Sequence, residues 1–171
     1  SVKWATCNVG ADSPEDYGDY FAWGETKPKA SYNWETYKWC NGRDDHMTKY
    51  CTDSSYGTVD NKTVLDPEDD VVHVKWGGDW RVPAKEELDE LREKCTWSWT
   101  TQDGIKGYKV TSKTNGNSIF LPAAGYRNGT GVYDSGSNGR YWSSSLYSDD
   151  CSHACRLYFF YSGYYDWGYN D

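Results

Sequence analysis

The sequence closes on a stretch, Tyr141 to Asp171, that interleaves two kinds of side chain. Tyr, Ser, Asp and Cys crowd it, while Trp142, Leu146, Ala154, Leu157, Phe159, Gly163 and Trp167 recur through it as apolar or small posts. Leu157 and Phe159 alternate with Arg156, Tyr158 and Phe160, the period of a strand that buries one face. The rest of the chain must therefore supply a core for one side of that strand and leave the other side open.

The material for that core is aromatic. Only 37% of residues are hydrophobic, yet 18% are aromatic, with 10 Trp and 16 Tyr. Such side chains fill large volumes while keeping a polar tip that needs a partner. At 171 residues the chain fits one domain, residues 1–171, with a sizeable core. The formal net charge is −8 and no run of Lys or Arg occurs, so the electrostatic footprint for nucleic acid or anionic lipid is missing. No apolar run approaches the ~20 residues of a membrane-spanning helix, so membrane insertion is not expected.

Local signals predict two or three helices among short strands, an α+β arrangement. Ser13-Pro14-Glu15-Asp16 carries an N-cap residue, a first-turn Pro and acids, predicting a short helix. Asp66-Pro67-Glu68-Asp69-Asp70 repeats the pattern ahead of residues 71–76, with Gly77-Gly78 as the stop. After Pro83, Leu88, Leu91 and Cys95 share one face of a helix over residues 84–95, and charges cover the other. Residues 107–111 and 118–122 read as strands around an Asn115-Gly116-Asn117 turn, and residues 128–139 read as loops.

Six cysteines lack any CxxC spacing that would suggest zinc or a thioredoxin-like site. Cys40 and Cys51 either close a disulfide loop or join Cys7 and Cys95 as buried thiols. His46, His73 and His153 are scattered without metal-ligand spacing, and the acidic stretches lack calcium-loop spacing, so no metal and no cofactor is expected. Arg81 is expected to pair with an acid of the helix that follows it.

Five runs carry a resemblance in order along the chain. They are residues 2–11 (VKWATCNVGA), 19–25 (DYFAWGE), 76–83 (WGGDWRVP), 121–127 (LPAAGYR) and 139–145 (GRYWSSS). Together they resemble the Fibrobacter succinogenes major paralogous domain family of Bacteroides-type bacteria. That family is related to the C-type-lectin-like fold of formylglycine-generating enzymes and of the variable proteins of diversity-generating retroelements. The resemblance implies a single C-type-lectin-like α+β domain, with 141–171 as its variable ligand-binding region. One departure is Ala84, where the family has a Thr able to cap the following helix; such a loss typically costs ~1 kcal/mol.

The retroelement resemblance carries a test in amino-acid vocabulary. Those elements mutate adenines, mostly in AAC codons, and outcomes never include Lys, Glu, Gln, Met or Trp. From Tyr147 to Asp171 there is no Lys, Glu, Gln or Met, whereas residues 1–146 hold 22 of these four types. At that rate about four would be expected in the tail, so their absence is a depletion. Trp167 alone breaks the rule, and it is one of the posts.

The expected ligand-binding residues are Tyr147, Ser148, Asp149, Asp150, Ser152, His153, Arg156, Tyr158, Phe160, Tyr161, Tyr164, Tyr165, Asp166 and Tyr169. The logic is that of antibody loops: Tyr gives large contacts at low rotamer cost, and Ser and Asp give adaptable hydrogen bonds. The implied partner is a protein or cell-surface ligand, met outside the cell, at a bacterial surface or on a phage particle. The acidic residues of the tail favour a basic or polar target. No catalytic residue is assigned. The alternatives are an undiversified adhesive or structural domain of a bacterial surface lipoprotein and, in another class, a formylglycine-generating-type oxidase. The oxidase reading would use Cys151 and Cys155, with His153 or Arg156 activating a thiolate.

Overall fold

In the computed structural model, which describes residues 2–165, small antiparallel sheets and two α-helices make an α+β arrangement. Residues 2–66 form no continuous strand or helix and are joined to the rest by isolated bridges such as Tyr32 to Gly129 and Val64 to Ser145. A segment of irregular backbone needs partners for its carbonyls, and the aromatic tips supply them. Trp39 Nε1 donates to Gly24 O (2.8 Å), Tyr37 OH to Trp23 O (2.9 Å) and Tyr32 OH to Tyr20 O (2.6 Å). Trp142 Nε1 reaches back to Phe21 O (2.9 Å), while Trp23 Nε1 reaches forward to Ser143 O (2.8 Å). These rings fill the core and tie the coil to the sheets with the same side chains.

Residues 13–16 form a single turn, Asp16 N–H to Ser13 O, instead of the expected helix. The start signal is real, but Gly18 at φ 72° follows at once and no apolar period extends the turn. The second start signal does precede a helix, in two pieces. Pro67–Asp69 is a 3₁₀ turn, and α1 (Val71–Trp76) is capped by Asp70, whose carboxylate accepts from His73 N–H (2.9 Å). Gly77 at φ 68° ends it.

The helix α2 (Lys85–Lys94) buries Leu88 and Leu91 as its spacing requires. Its first turn compensates for Ala84: Glu87 Oε2 accepts from Ala84 N–H (2.8 Å) and Ser145 Oγ from Lys85 N–H (3.2 Å). Arg81 forks onto both Glu87 oxygens (2.7 and 2.5 Å), the pairing expected of it.

α2 leads directly into β1 (Cys95–Gln102), which pairs with β2 (Ile105–Ser112), itself paired with β3 (Ser118–Pro122). Asp103 and Gly104, both at positive φ, form the two-residue turn between the first pair. Residues 126–133 correct the loop expectation, since β4 (Tyr126–Asn128) and β5 (Gly131–Tyr133) make a short hairpin. Paired aromatics explain it: Tyr126 and Tyr133 sit opposite each other with ring centroids 5.7 Å apart.

The last sheet orders β6 (Asn138–Leu146), β7 (Ala154–Phe160) and β8 (Gly163–Tyr165). Its two faces serve two cores: Leu157 and Phe159 point to one, while Ala154, on the parity of Arg156 and Tyr158, points with its partner Leu146 to the other. Leu157 and Phe159 pack with Leu88, Leu91, Tyr108, Val110 and Ala123, and Leu146 and Ala154 pack with Trp23 and Tyr50. Among the described residues no helix is long and apolar enough to cross a membrane.

Candidate functional site

The candidate site is built on β7 and the turns at its two ends. Along β7 burial alternates from Cys155 to Phe160: Cys155, Leu157 and Phe159 are buried, and Arg156, Tyr158 and Phe160 are half-buried. Phe159 is the pivot of the inner face, ringed by Tyr108 at 5.3 Å and Tyr141 at 5.9 Å between centroids. Gly139 lies opposite it in the ladder, and a Cβ there would overlap the Phe159 ring. Glycine at this point lets the sheet seat a full phenyl ring against its own backbone.

The outer face carries a row of cations and rings. Arg140, opposite Tyr158 in register, holds its guanidinium 3.5 Å from the Tyr126 ring centroid and 5.6 Å from that of Tyr158. Arg156 lies 5.8 Å from the same Tyr158 ring, and Phe160 follows 5.9 Å from it. Contacts of this kind favour an ordered, partly desolvated surface. Tyr161, at the β7–β8 turn, is 72% exposed, the most open large apolar side chain of the site.

The β6–β7 loop, residues 147–153, is ordered by its own hydrogen bonds. Asp150 Oδ1 accepts from Ser152 N–H (2.8 Å) and Oγ (2.6 Å), and its Oδ2 lies 3.0 Å from His153 Nδ1. Burial works against the Asp150 carboxylate, but these donors outweigh it and hold its pKa below the ordinary value. Tyr147 N–H closes the loop onto His153 O (3.1 Å). Ser148 and Asp149 are left exposed at the tip.

The structure thus brings Tyr147, Ser148, Asp149, Asp150, His153, Arg156, Tyr158, Phe160 and Tyr161 onto one loop-and-strand surface. Ser152 departs from the expectation of an exposed position: it is buried at 7% exposure, because the Asp150 turn folds its hydroxyl inward. Tyr164 and Tyr165 enter through their backbone in β8, with Tyr165 opposite Tyr158. Asp166 and Tyr169, like the post Trp167, lie outside the described residues.

Two contributions went unread in the sequence. Arg140 and Tyr126 extend the outer face; Arg140 shares the parity of Trp142, a post read as inward, and the register instead sets the two opposite Tyr158 and Arg156. Thr52 buttresses the loop from a distant segment, its hydroxyl donating to Ser148 O (3.2 Å), with no sequence signal to mark it. An open cleft of about 1290 Å³ borders the surface, with Tyr20, Tyr32, Trp34, Arg140, His153 and Arg156 among its walls. Among the described residues no group of three or more His, Cys, Asp or Glu gathers as metal ligands. Cys151, one of the two cysteines an oxidase reading would use, has its sulfur 3.1 Å from that of Cys51.

The family model described as Domain of unknown function (DUF8237) matches residues 81–171, which include α2, β1 to β8 and the loop-and-strand surface but not Thr52. No curated protein and no solved structure matches the chain.

Proposed function

The chain belongs to that DUF8237 family, and we propose from its own residues that it is a hypervariable ligand-binding protein of C-type-lectin-like fold. Its variable region, 141–171, is diversified by adenine mutagenesis and meets a protein or cell-surface ligand outside the cell, at a bacterial surface or on a phage particle. The loop 147–153, the outer face of β7 and the turn at Tyr161 form the contact surface.

One coincidence carries the reading. The stretch from which Lys, Glu, Gln and Met are absent is also the stretch where outward positions alternate with a buried ladder. A protein that changes its contact residues needs a scaffold indifferent to them. Leu157 and Phe159 supply it from the inner face, and Leu146 and Ala154 from the other end of the β6–β7 pair, where they pack on Trp23 and Tyr50. The order of the five motifs supports the fold, and the small antiparallel sheets are compatible with it.

Chemistry favours recognition over turnover. Tyr147, Tyr158, Phe160 and Tyr161 provide anchors of low rotamer cost, Ser148 and Asp149 provide adaptable hydrogen-bonding groups, and Asp150 holds the loop that presents them. Sequencing the locus tests the reading. The expected finding is a near-copy of the 147–171 coding region with AAC codons at these positions, beside a reverse transcriptase gene. A locus with neither leaves an undiversified adhesive or structural domain in its place.

A further inference from the structure

Cys51 and Cys151 lie 100 positions apart in sequence, and their sulfurs are 3.1 Å apart. Both are buried, in a small cluster with Cys40 and Met47. A disulfide bond is ~2.05 Å long, so about 1 Å of closure would join them. The other buried sulfurs aim elsewhere: Cys40 Sγ at Trp34 O (3.2 Å) and Cys155 Sγ at Leu146 O (3.9 Å).

The two thiols have opposite surroundings. Cys151 Sγ receives the Thr52 N–H at 2.9 Å and lies 3.4 Å from the Thr52 hydroxyl, while Cys51 Sγ faces the Asp53 carbonyl at 3.1 Å. Donors stabilise a thiolate, and an acceptor keeps a thiol protonated. Burial raises the Cys51 thiol; at Cys151 burial acts upward too, but hydrogen bonds from Thr52 and Cys51 outweigh it.

We propose that Cys51 and Cys151 are a disulfide site that staples the 147–153 loop to the segment around Thr52. With a disulfide of the glutathione class as oxidant, the Cys151 thiolate attacks one of its sulfurs and expels one thiolate. Cys51, after yielding its proton, then attacks Cys151 Sγ and expels the second. Two protein thiols are oxidised and one small disulfide is reduced to two thiols, which take up the two protons. The bond closes a loop of about 100 residues, the kind of span for which cross-linking restricts the unfolded chain most. It also fixes the base of the loop that carries Tyr147, Ser148 and Asp149, whatever that surface binds.

The test is to refold the full chain in mixed reduced and oxidised glutathione, alkylate free thiols, and map peptides without reduction. The expected result is a linked pair of peptides containing Cys51 and Cys151, with the other four of the six cysteines alkylated. The oxidised protein should also melt roughly 5–15 °C above its reduced form. Cys40→Ser should keep the link and Cys151→Ser should abolish it; should the second variant not fold, the wild-type map decides alone. Six alkylated cysteines, a Cys40–Cys51 or Cys151–Cys155 link, or a Cys51–Cys151 link without a gain in melting temperature would overturn the proposal.

Discussion

At the scale of single residues, the two faces of β7 make opposite predictions. Phe159 has no exposed surface and touches rings from β1, β2 and β6, including Trp97 and Trp99 at 6.4 Å. Phe159→Ala is expected to cost about 3–5 kcal/mol, the range for a large aromatic lost from a packed core. Tyr161→Ala, at the open turn, should stay within about 0.5 kcal/mol. Urea unfolding of both variants measures the difference, and equal losses would contradict the separation of faces. A second residue-scale test concerns Lys49, which reaches Asp69 at 2.7 Å and Asp66 at 2.8 Å. Asp69 is buried and also accepts from Tyr50 OH (2.5 Å), so Lys49→Met strips a cation from a buried carboxylate. A loss of about 3 kcal/mol is expected, with partial recovery when Asp69→Asn is added. Asp66 contributes to the acid limb: hydrogen bonds from Lys49 and then Lys62 hold its pKa below the ordinary range. A depressed carboxylate contributes stability that is present above ~3.9 and is lost as pH falls through the folded value. Lys49 acts at the other end: burial lowers its pKa, but its bonds to Asp66 and Asp69 outweigh that and raise it, and its contribution is lost only as pH rises through that raised value. Urea midpoints between about pH 5 and pH 2 should therefore fall less steeply in Asp66→Asn than in the parent chain.

At the scale of elements, α2 shows what one missing hydroxyl does. The N-cap position, Ala84, has extended backbone (φ −67°, ψ 159°), which suits a capping side chain, and Glu87 already closes half of the capping box. Ala84→Ser should add about 0.5–1 kcal/mol, read as a higher melting temperature; no gain would mean that Ser145 already satisfies the free N–H groups of the first turn. α2 was also the most legible element, because Leu88 and Leu91 repeat at helical spacing and charges fill the gaps. The strand pair 107–111 and 118–122 and the alternation in β7 were legible for the same reason, a period maintained over several residues. The elements missed were short or non-local. β4 and β5 have three residues each and depend on Tyr126 facing Tyr133, a pairing that the sequence does not announce. The helix expected at residues 13–16 failed because a cap signal starts a turn without supplying an apolar face to hold it. β1 could have been read from its exit, since Asp103-Gly104 is a strong hairpin signal. Within the site, the strand residues were readable from period two, while Thr52 and Cys51 come from a segment without period and meet the loop only through the fold.

At the scale of the whole molecule, the last sheet takes part in both larger cores, one with each of its faces. Leu157 and Phe159 belong to the one under α2, and Leu146 and Ala154 to the one around Trp23 and Tyr50. Irregular segment 2–66 is bound to the same sheet by Trp23 and Trp142, each donating across it. Stability therefore resides in core contacts that the side chains of Ser148, Asp149, Tyr158, Phe160 and Tyr161 do not make. If Ser148, Asp149, Tyr158, Phe160 and Tyr161 are exchanged together for other residues of the same vocabulary, the summed cost should stay near 1–3 kcal/mol. Exposed positions contribute within about 0.5 kcal/mol each, and the ring and cation contacts at Tyr158 and Phe160 add about 0.5–1 kcal/mol. Because one sheet couples both cores, tryptophan fluorescence and far-ultraviolet circular dichroism should report a single coincident transition in the parent and in such multiple variants. A variant that loses cooperativity, or splits into two transitions, would show that the outer face belongs to the scaffold and that the surface is not free to vary.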